Sequence, residues 1–190
     1  THDQSSAASD VYKRQIYRDA IQFIHDYAIR GANAGKTPDE LVEEFEYPPF
    51  FLESYDLEEK YGKVSWSIRN VYNGYLGFFD GRAVNLEPLS KKKRARHIFE
   101  LIGSKEQLIE QINKANNSSN YQWAAELSDI GLLNFPNDKD IKNLYSESLE
   151  NLSQIEKNPI ARNYYLSEAY ELSGKITCLL YTSPSPRDVR

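Results

Sequence analysis

Apolar side chains recur every three or four residues between Val64 and Phe79, and this spacing constrains the possible fold more than any other feature. Their stripe consists of Val64, Ile68, Val71, Tyr72, Tyr75 and Phe79. Such a stripe is typical of an amphipathic helix with one buried face. Asp80-Gly81 then predicts the end of this helix. Because similar spacing recurs along the chain and no segment alternates like a strand, the sequence predicts an all-α fold, a helical array.

Local start and stop signals divide the chain into short helices. A first helix runs from Ile16 towards Gly35, a residue type that commonly caps helix ends. Thr37 and Glu40, with a proline between them, have the spacing of a capping box, and so do Ser104 and Gln107. Further helices are predicted to begin at Ser90, at Tyr121, after Asp138 and at Pro159.

The second half contains a weak internal repeat. The helices predicted after Ser104 and after Asp138 start 34 residues apart, which is the tetratricopeptide period. The period is matched once, and the Trp-Leu-Gly pattern of that repeat's first helix is absent. Chance spacing of short helices is the alternative explanation. We predict tetratricopeptide-like helix pairing in the second half of the fold.

Both ends of the chain look foreign to the domain. Residues 5–15 read SSAASDVYKRQ and residues 178–190 read CLLYTSPSPRDVR, and both resemble translated adapter or linker sequence. We therefore predict a foreign or disordered segment at 1–15, a helical domain at 16–175 and a foreign or disordered tail at 176–190. The one cysteine, Cys178, lies in that tail, so no disulfide framework is expected.

Composition and motifs argue against several functions. A net charge of −5 does not favour nucleic-acid binding, and no apolar run is long enough for a membrane span. The three histidines, His2, His25 and His97, belong to no known metal-binding or catalytic spacing. The sequence therefore predicts no catalytic residue, no metal ligand and no cofactor within this chain.

Four segments together resemble a known family. They are residues 25–49, 61–89, 120–138 and 161–172, and the tyrosine-rich run from Tyr72 to Gly81 is the most specific. These segments resemble, in order and spacing, the dimerisation region of the metallo-β-lactamase-type alkyl sulfatases, which include the sodium-dodecyl-sulfate hydrolases. The resemblance covers residues 16–174.

The resemblance implies a function for a longer parent protein. These enzymes hydrolyse alkyl sulfate esters to alcohol and sulfate, using two zinc ions in an upstream metallo-β-lactamase domain. A sterol-carrier-like domain follows the helical region, and the protein is a homodimer. The resemblance also favours a periplasmic or secreted location. It implies that this chain is the dimerisation scaffold, without the catalytic domain.

The resemblance gives the aromatic residues of the predicted helix a role. We predict that Trp66, Tyr72, Tyr75, Phe78 and Phe79 form the dimer interface, although burial inside one protomer explains the last four almost as well. The chain has Trp66-Ser67 where the family usually has His-Asn, and Arg82-Ala83-Val84 where it has Asn-Pro-Ala. A tetratricopeptide-like protein-interaction scaffold with no enzymatic role is the alternative function.

Overall fold

The computed structural model describes residues 2–176, with side chains from Val11 onwards. Within this range the chain forms helices joined by turns and contains no strand, which confirms the all-α prediction. It divides between Pro88 and Leu89 into two compact units, which we call unit 1 and unit 2. Among the described residues, every helix is too short or too polar to cross a membrane.

The helices of each unit follow one another closely along the chain. Unit 1 contains α1 (His2–Asn33), α2 (Pro38–Glu43), α3 (Pro49–Leu52) and α4 (Val64–Leu76), with short 3-10 helices at Tyr55–Leu57 and Ala83–Asn85. Unit 2 contains α5 (Lys91–Ile102), α6 (Lys105–Asn117), α7 (Tyr121–Asn134), α8 (Lys139–Ile155) and α9 (Pro159–Leu172).

The first helix is longer than the sequence suggests. We predicted a foreign or disordered segment at 1–15, but the backbone is helical from His2 onwards, without a break before Ile16. The foreign origin of this segment remains a prediction. Most of the predicted tail at 176–190 lies outside the described residues.

Unit 1 packs α2 and α4 against the second half of α1. Its core consists of the buried side chains of Ile24, Ala28, Leu41, Ile68 and Tyr72. The capping box predicted at Thr37 is present: the Thr37 hydroxyl accepts from the Glu40 N–H, and the Glu40 carboxylate accepts from the Thr37 N–H at 2.8 Å. This cap fixes the start of α2, so that Leu41 reaches the core.

A glycine sets the distance between α1 and α2. A Cβ added at Gly31 would lie 2.1 Å from Cδ2 of Leu41, which is closer than real side chains approach. Leu41 is fully buried, so its side chain has little room to move away. Gly31 therefore allows a close approach of the two helices, in addition to its effect as a weak helix former near the end of α1.

In unit 2 each helix from α6 to α9 packs against the next one. One core cluster joins α6, α7 and α8 through Leu108, Ile112, Leu127 and Ile141, and another joins α7, α8 and α9. The helices α6 and α8 start at Lys105 and Lys139, 34 residues apart, as the sequence predicts. Unit 2 therefore has the tetratricopeptide-like helix pairing.

A charged contact joins the starts of α6 and α8. Asp138 caps α8 by accepting from the Ile141 N–H, and its second oxygen accepts from the Lys105 ammonium at 2.9 Å. The Lys105 ammonium, followed by the Ile141 N–H, holds the pKa of the Asp138 carboxyl below its ordinary value. The same residue thus ends the turn after α7 and ties α8 to the first residue of α6.

Candidate functional site

The helix α4 presents one face to the core of unit 1 and another to solvent. Ile68 and Tyr72, four residues apart, are buried against α1 and α2. Arg69 donates to the Asp39 carboxylate at 2.6 Å, which ties α4 to the start of α2. The helical spacing of the sequence determines which face of α4 is buried, and it predicted the burial of Ile68 and Tyr72 correctly.

The predicted interface residues lie in different environments. Tyr72 is only 4% exposed and belongs to the core of unit 1, which supports the alternative that it is buried inside one protomer. Trp66 is 38% exposed, Tyr75 is 66% exposed and Phe78 is 80% exposed, whereas Phe79 is half-buried. Their contact with a partner remains a prediction.

The end of α4 differs from the sequence prediction. The helix ends at Leu76 rather than at Asp80-Gly81, because Gly77 adopts φ +70°, a conformation that favours glycine. Phe78 and Phe79 therefore lie in the loop after the helix, with their rings in edge contact. This turn takes Phe79, the last residue of the predicted stripe, out of the helix, and the neighbouring Phe78 is exposed.

Asp80 organises the loop rather than ending the helix. Its carboxylate accepts from the Arg82 N–H at 3.0 Å and from the Asn85 side-chain amide at 2.6 Å. The Arg82 N–H is the main reason why the pKa of Asp80 lies below its ordinary value. Gly81 follows in a left-handed conformation, with φ +86°. The loop that carries Phe78 and Phe79 is thus held by a defined set of hydrogen bonds.

Unit 1 exposes more apolar side chains than the sequence stripe indicates. Most of the exposed large hydrophobic side chains of the described residues lie in this unit. Beyond the predicted set they include Phe50, Leu52, Tyr55, Tyr61, Leu76, Val84 and Leu86. The density of aromatic residues between Tyr47 and Tyr61 is the sequence signal that could have located the first four. Contiguous exposed apolar patches mark surfaces that bind partners, whereas single exposed apolar side chains are ordinary.

A ring cluster supports this surface from beneath. Phe23, Phe45, Tyr47 and Phe51 pack with centroid separations between 5.0 and 6.4 Å. Burial is the main cause that raises the pKa of Tyr47. The cluster fixes the irregular segment after α2 on α1, so that Phe50 and Leu52 point outwards from a rigid base.

His25 and His97 each contact nearby polar side chains. Asp26 Oδ1 lies 3.1 Å from His25 Nδ1 on the same helix. His25 Nε2 lies 3.0 Å from the Tyr75 hydroxyl, which joins α1 to α4. His97 contacts Glu100 on the same helix. Among the side chains from Val11 to Ile176, no three His, Cys, Asp or Glu residues are grouped so that they could hold a metal ion. The described residues therefore do not fit a zinc centre.

The fold and the exposed surface define an all-helical domain with tetratricopeptide-like pairing in its second half and an apolar surface on its first. A family model described as alkyl sulfatase dimerisation matches residues 37–175. The chain belongs to the alkyl sulfatase dimerisation family.

Characterised relatives carry alkylsulfatase names. A linear primary-alkylsulfatase of Pseudomonas sp. (strain ATCC 19151) is 40% identical over 85% of this chain and 31% of its own length. An (R)-specific secondary-alkylsulfatase of Pseudomonas sp. is 31% identical over 82% of this chain and 24% of its own length. The chain thus spans 24–31% of the length of these relatives.

Solved structures show the same fold. A stereoselective inverting sec-alkylsulfatase of Pseudomonas sp. superposes with a TM-score of 0.80 at 27% identity, over 89% of this chain and 27% of that one. A double mutant of a sec-alkyl sulfatase superposes with a TM-score of 0.82 at 29% identity, over 86% of this chain and 26% of that one. The helical arrangement described above is therefore that of a region within larger alkylsulfatases.

Proposed function

We propose that this chain is the dimerisation scaffold of an alkyl sulfatase that hydrolyses alkyl sulfate esters to alcohol and sulfate. The family match over residues 37–175 supports the scaffold role, and the names of the relatives support the class of substrate. The whole protein would be a homodimer. Catalysis would belong to other parts of it, since this chain spans only 24–31% of the length of the alkylsulfatase relatives.

The observation that carries this proposal is the exposed aromatic surface of unit 1. Tyr61, Tyr75 and Phe78 are each at least 66% exposed, although aromatic side chains gain most from leaving water. A stable homodimer typically uses the same patch on both protomers and buries about 1,600 Å² or more in total. An exposed surface rich in aromatic side chains can supply the apolar area that such an isologous contact buries.

The parent protein is proposed to hold two further domains. An upstream metallo-β-lactamase domain would bind two zinc ions and carry out the hydrolysis, and a downstream sterol-carrier-like domain would hold the alkyl chain. A periplasmic or secreted location is part of the same proposal. Its support is the family membership and the 24–31% share of the relatives' length that this chain spans.

The mass of the chain in solution tests the scaffold role. Sedimentation equilibrium of the full 190-residue chain at tens of micromolar should give twice the 22.0 kDa protomer mass. The mass should fall towards one protomer on dilution, since association depends on concentration. A single protomer mass at every concentration would refute the proposed dimer. Sulfate release from dodecyl sulfate by this chain with added zinc would refute the separation of scaffold and catalysis.

A further inference from the structure

Unit 2 contains an open groove that is lined by residues of this unit. The groove has a volume of about 560 Å³ and is formed by α5, α7, α8 and α9. Its floor is apolar and includes Ile98, Leu149 and Leu152. Cavities of about 300–1,000 Å³ are typical of binding sites in proteins. The groove is therefore large enough to take several side chains of a partner.

Carboxylates line the walls of this groove. Glu126 and Asp129 lie three residues apart on α7, and Glu168 lies on α9. All three are exposed, and none of them forms an ion pair with another described residue. The Glu126 side chain accepts a hydrogen bond from the Gln122 amide, which leaves its charge unneutralised. The walls thus present three negative charges beside an apolar floor.

The carboxylates on the groove walls also act on a tyrosine in the groove. Tyr145 lies in the groove and is mostly surrounded by protein. Burial first, and then the charges of Glu168 and Asp129, raise the pKa of its hydroxyl. Lys91 and Arg94 line the α5 edge of the groove. The acidic side of the groove is therefore the one formed by α7 and α9, where Glu126, Asp129 and Glu168 lie.

We propose that this groove binds a cationic amphipathic protein segment. Its apolar side chains would lie on the floor, and its Lys or Arg side chains would lie against Glu126, Asp129 and Glu168. Recognition of this kind combines apolar anchors at helical spacing with charge complementarity, which sets specificity and the association rate. Trp123 is 47% exposed beside these carboxylates and offers a flat apolar face to the segment. An anionic segment is disfavoured, because the carboxylates outnumber the cations.

A designed peptide tests the proposal. The probe is a fluorescein-labelled helical peptide of about fourteen residues, with leucine on one face and lysine on the other. Its binding to the full chain is followed by anisotropy. The triple variant Glu126→Gln/Asp129→Asn/Glu168→Gln should weaken binding about tenfold, because it removes the paired charges. The double variant Glu126→Gln/Asp129→Asn should weaken it by an intermediate factor.

Matched controls separate groove binding from general attraction to an acidic protein. The variant Glu110→Gln/Glu147→Gln/Glu171→Gln removes the same charge from exposed positions outside the groove and should change affinity less than about twofold. A peptide with serine in place of leucine should bind weakly despite its equal charge. In a Trp66→Phe background, peptide addition should change the emission of Trp123, which is then the single tryptophan.

Three results would overturn the proposal. Equal weakening by both triple variants would show only non-specific attraction. Equal binding of the serine peptide would show that the apolar floor is not used. The third result has two parts: the wild-type chain fails to bind the peptide, and the triple groove variant lowers the mass of the assembly. Together they would identify a second copy of the chain as the occupant of the groove. The dimer proposed for unit 1 is tested separately, because sedimentation equilibrium measures it in the absence of the peptide.

Discussion

Gly31 provides a sharp test of how unit 1 is packed. The substitution Gly31→Ala places a methyl group 2.1 Å from Leu41 Cδ2, inside the core. Alanine favours the helix by about 1 kcal/mol over glycine, whereas overpacking a filled core typically costs about 1–3 kcal/mol. Because Leu41 is fully buried and cannot move into solvent, we expect the packing cost to exceed the helix preference. The variant should lose about 1 kcal/mol of unfolding free energy.

A second substitution reverses the sign. Leu41→Ala alone should cost about 2–5 kcal/mol, because it leaves a cavity. In that background the methyl group of Gly31→Ala has space, so the substitution should stabilise the chain by up to about 1 kcal/mol. Gly74→Ala is the matched control within the same unit, since a Cβ at this helical glycine meets nothing within 4 Å. It should stabilise by about 0.5–1 kcal/mol.

Urea denaturation followed by helical circular dichroism measures all four variants, at one protein concentration so that association does not differ between them. If Gly31→Ala stabilises the chain as much as Gly74→Ala does, the close approach of α1 and α2 described above is wrong. If Gly31→Ala destabilises equally with and without Leu41, the cost comes from somewhere other than this contact.

Two further predictions concern single side chains. Thr37→Ala removes the capping box of α2 and should cost about 1 kcal/mol in the same urea assay, and no loss would show that the cap is dispensable. Asp138→Asn keeps an N-cap on α8 but removes the ion pair with Lys105. Since the folded pKa of Asp138 is lowered, its stabilisation is present above the unfolded pKa and is lost as the pH falls through the folded pKa. Wild type should therefore lose more stability than the variant between neutral and acid pH, and parallel pH profiles would contradict this.

Local features of the fold could be predicted from the sequence. The capping box at Thr37, the helix start at Ser90 and the 34-residue interval between α6 and α8 all appear in the structure. Each depends on residues within one turn, or on spacing along the chain, so neighbouring segments do not alter it. The capping box predicted for Ser104 and Gln107 is only half present, because the Ser104 hydroxyl accepts from the Gln107 N–H but the described hydrogen bonds include no return bond from the Gln107 side chain. A helical stripe predicts which residues are buried but not to which family a chain belongs. The family resemblance supplied that second piece of information.

Features that depend on tertiary contact or on a single backbone angle could not be predicted. Gly77 lies in a stretch with strong helical spacing, and only its positive φ shows that α4 ends there. Tyr75 continues the apolar stripe but extends past the core, where it meets His25 instead. The groove of unit 2 combines side chains from four helices, whose proximity no local pattern indicates.

The central claim is that the exposed aromatic surface of unit 1 forms the dimer, and paired variants test it most directly. Tyr75→Ser with Phe78→Ser removes two exposed rings of that surface, whereas Leu101→Ser removes an 88% exposed side chain from unit 2. Sedimentation equilibrium should show at least a tenfold weaker dimer for the first variant, equivalent to about 1.4 kcal/mol. The Leu101 variant should match wild type. A wild-type dimer that is unchanged by the double substitution and weakened by Leu101→Ser would contradict the account.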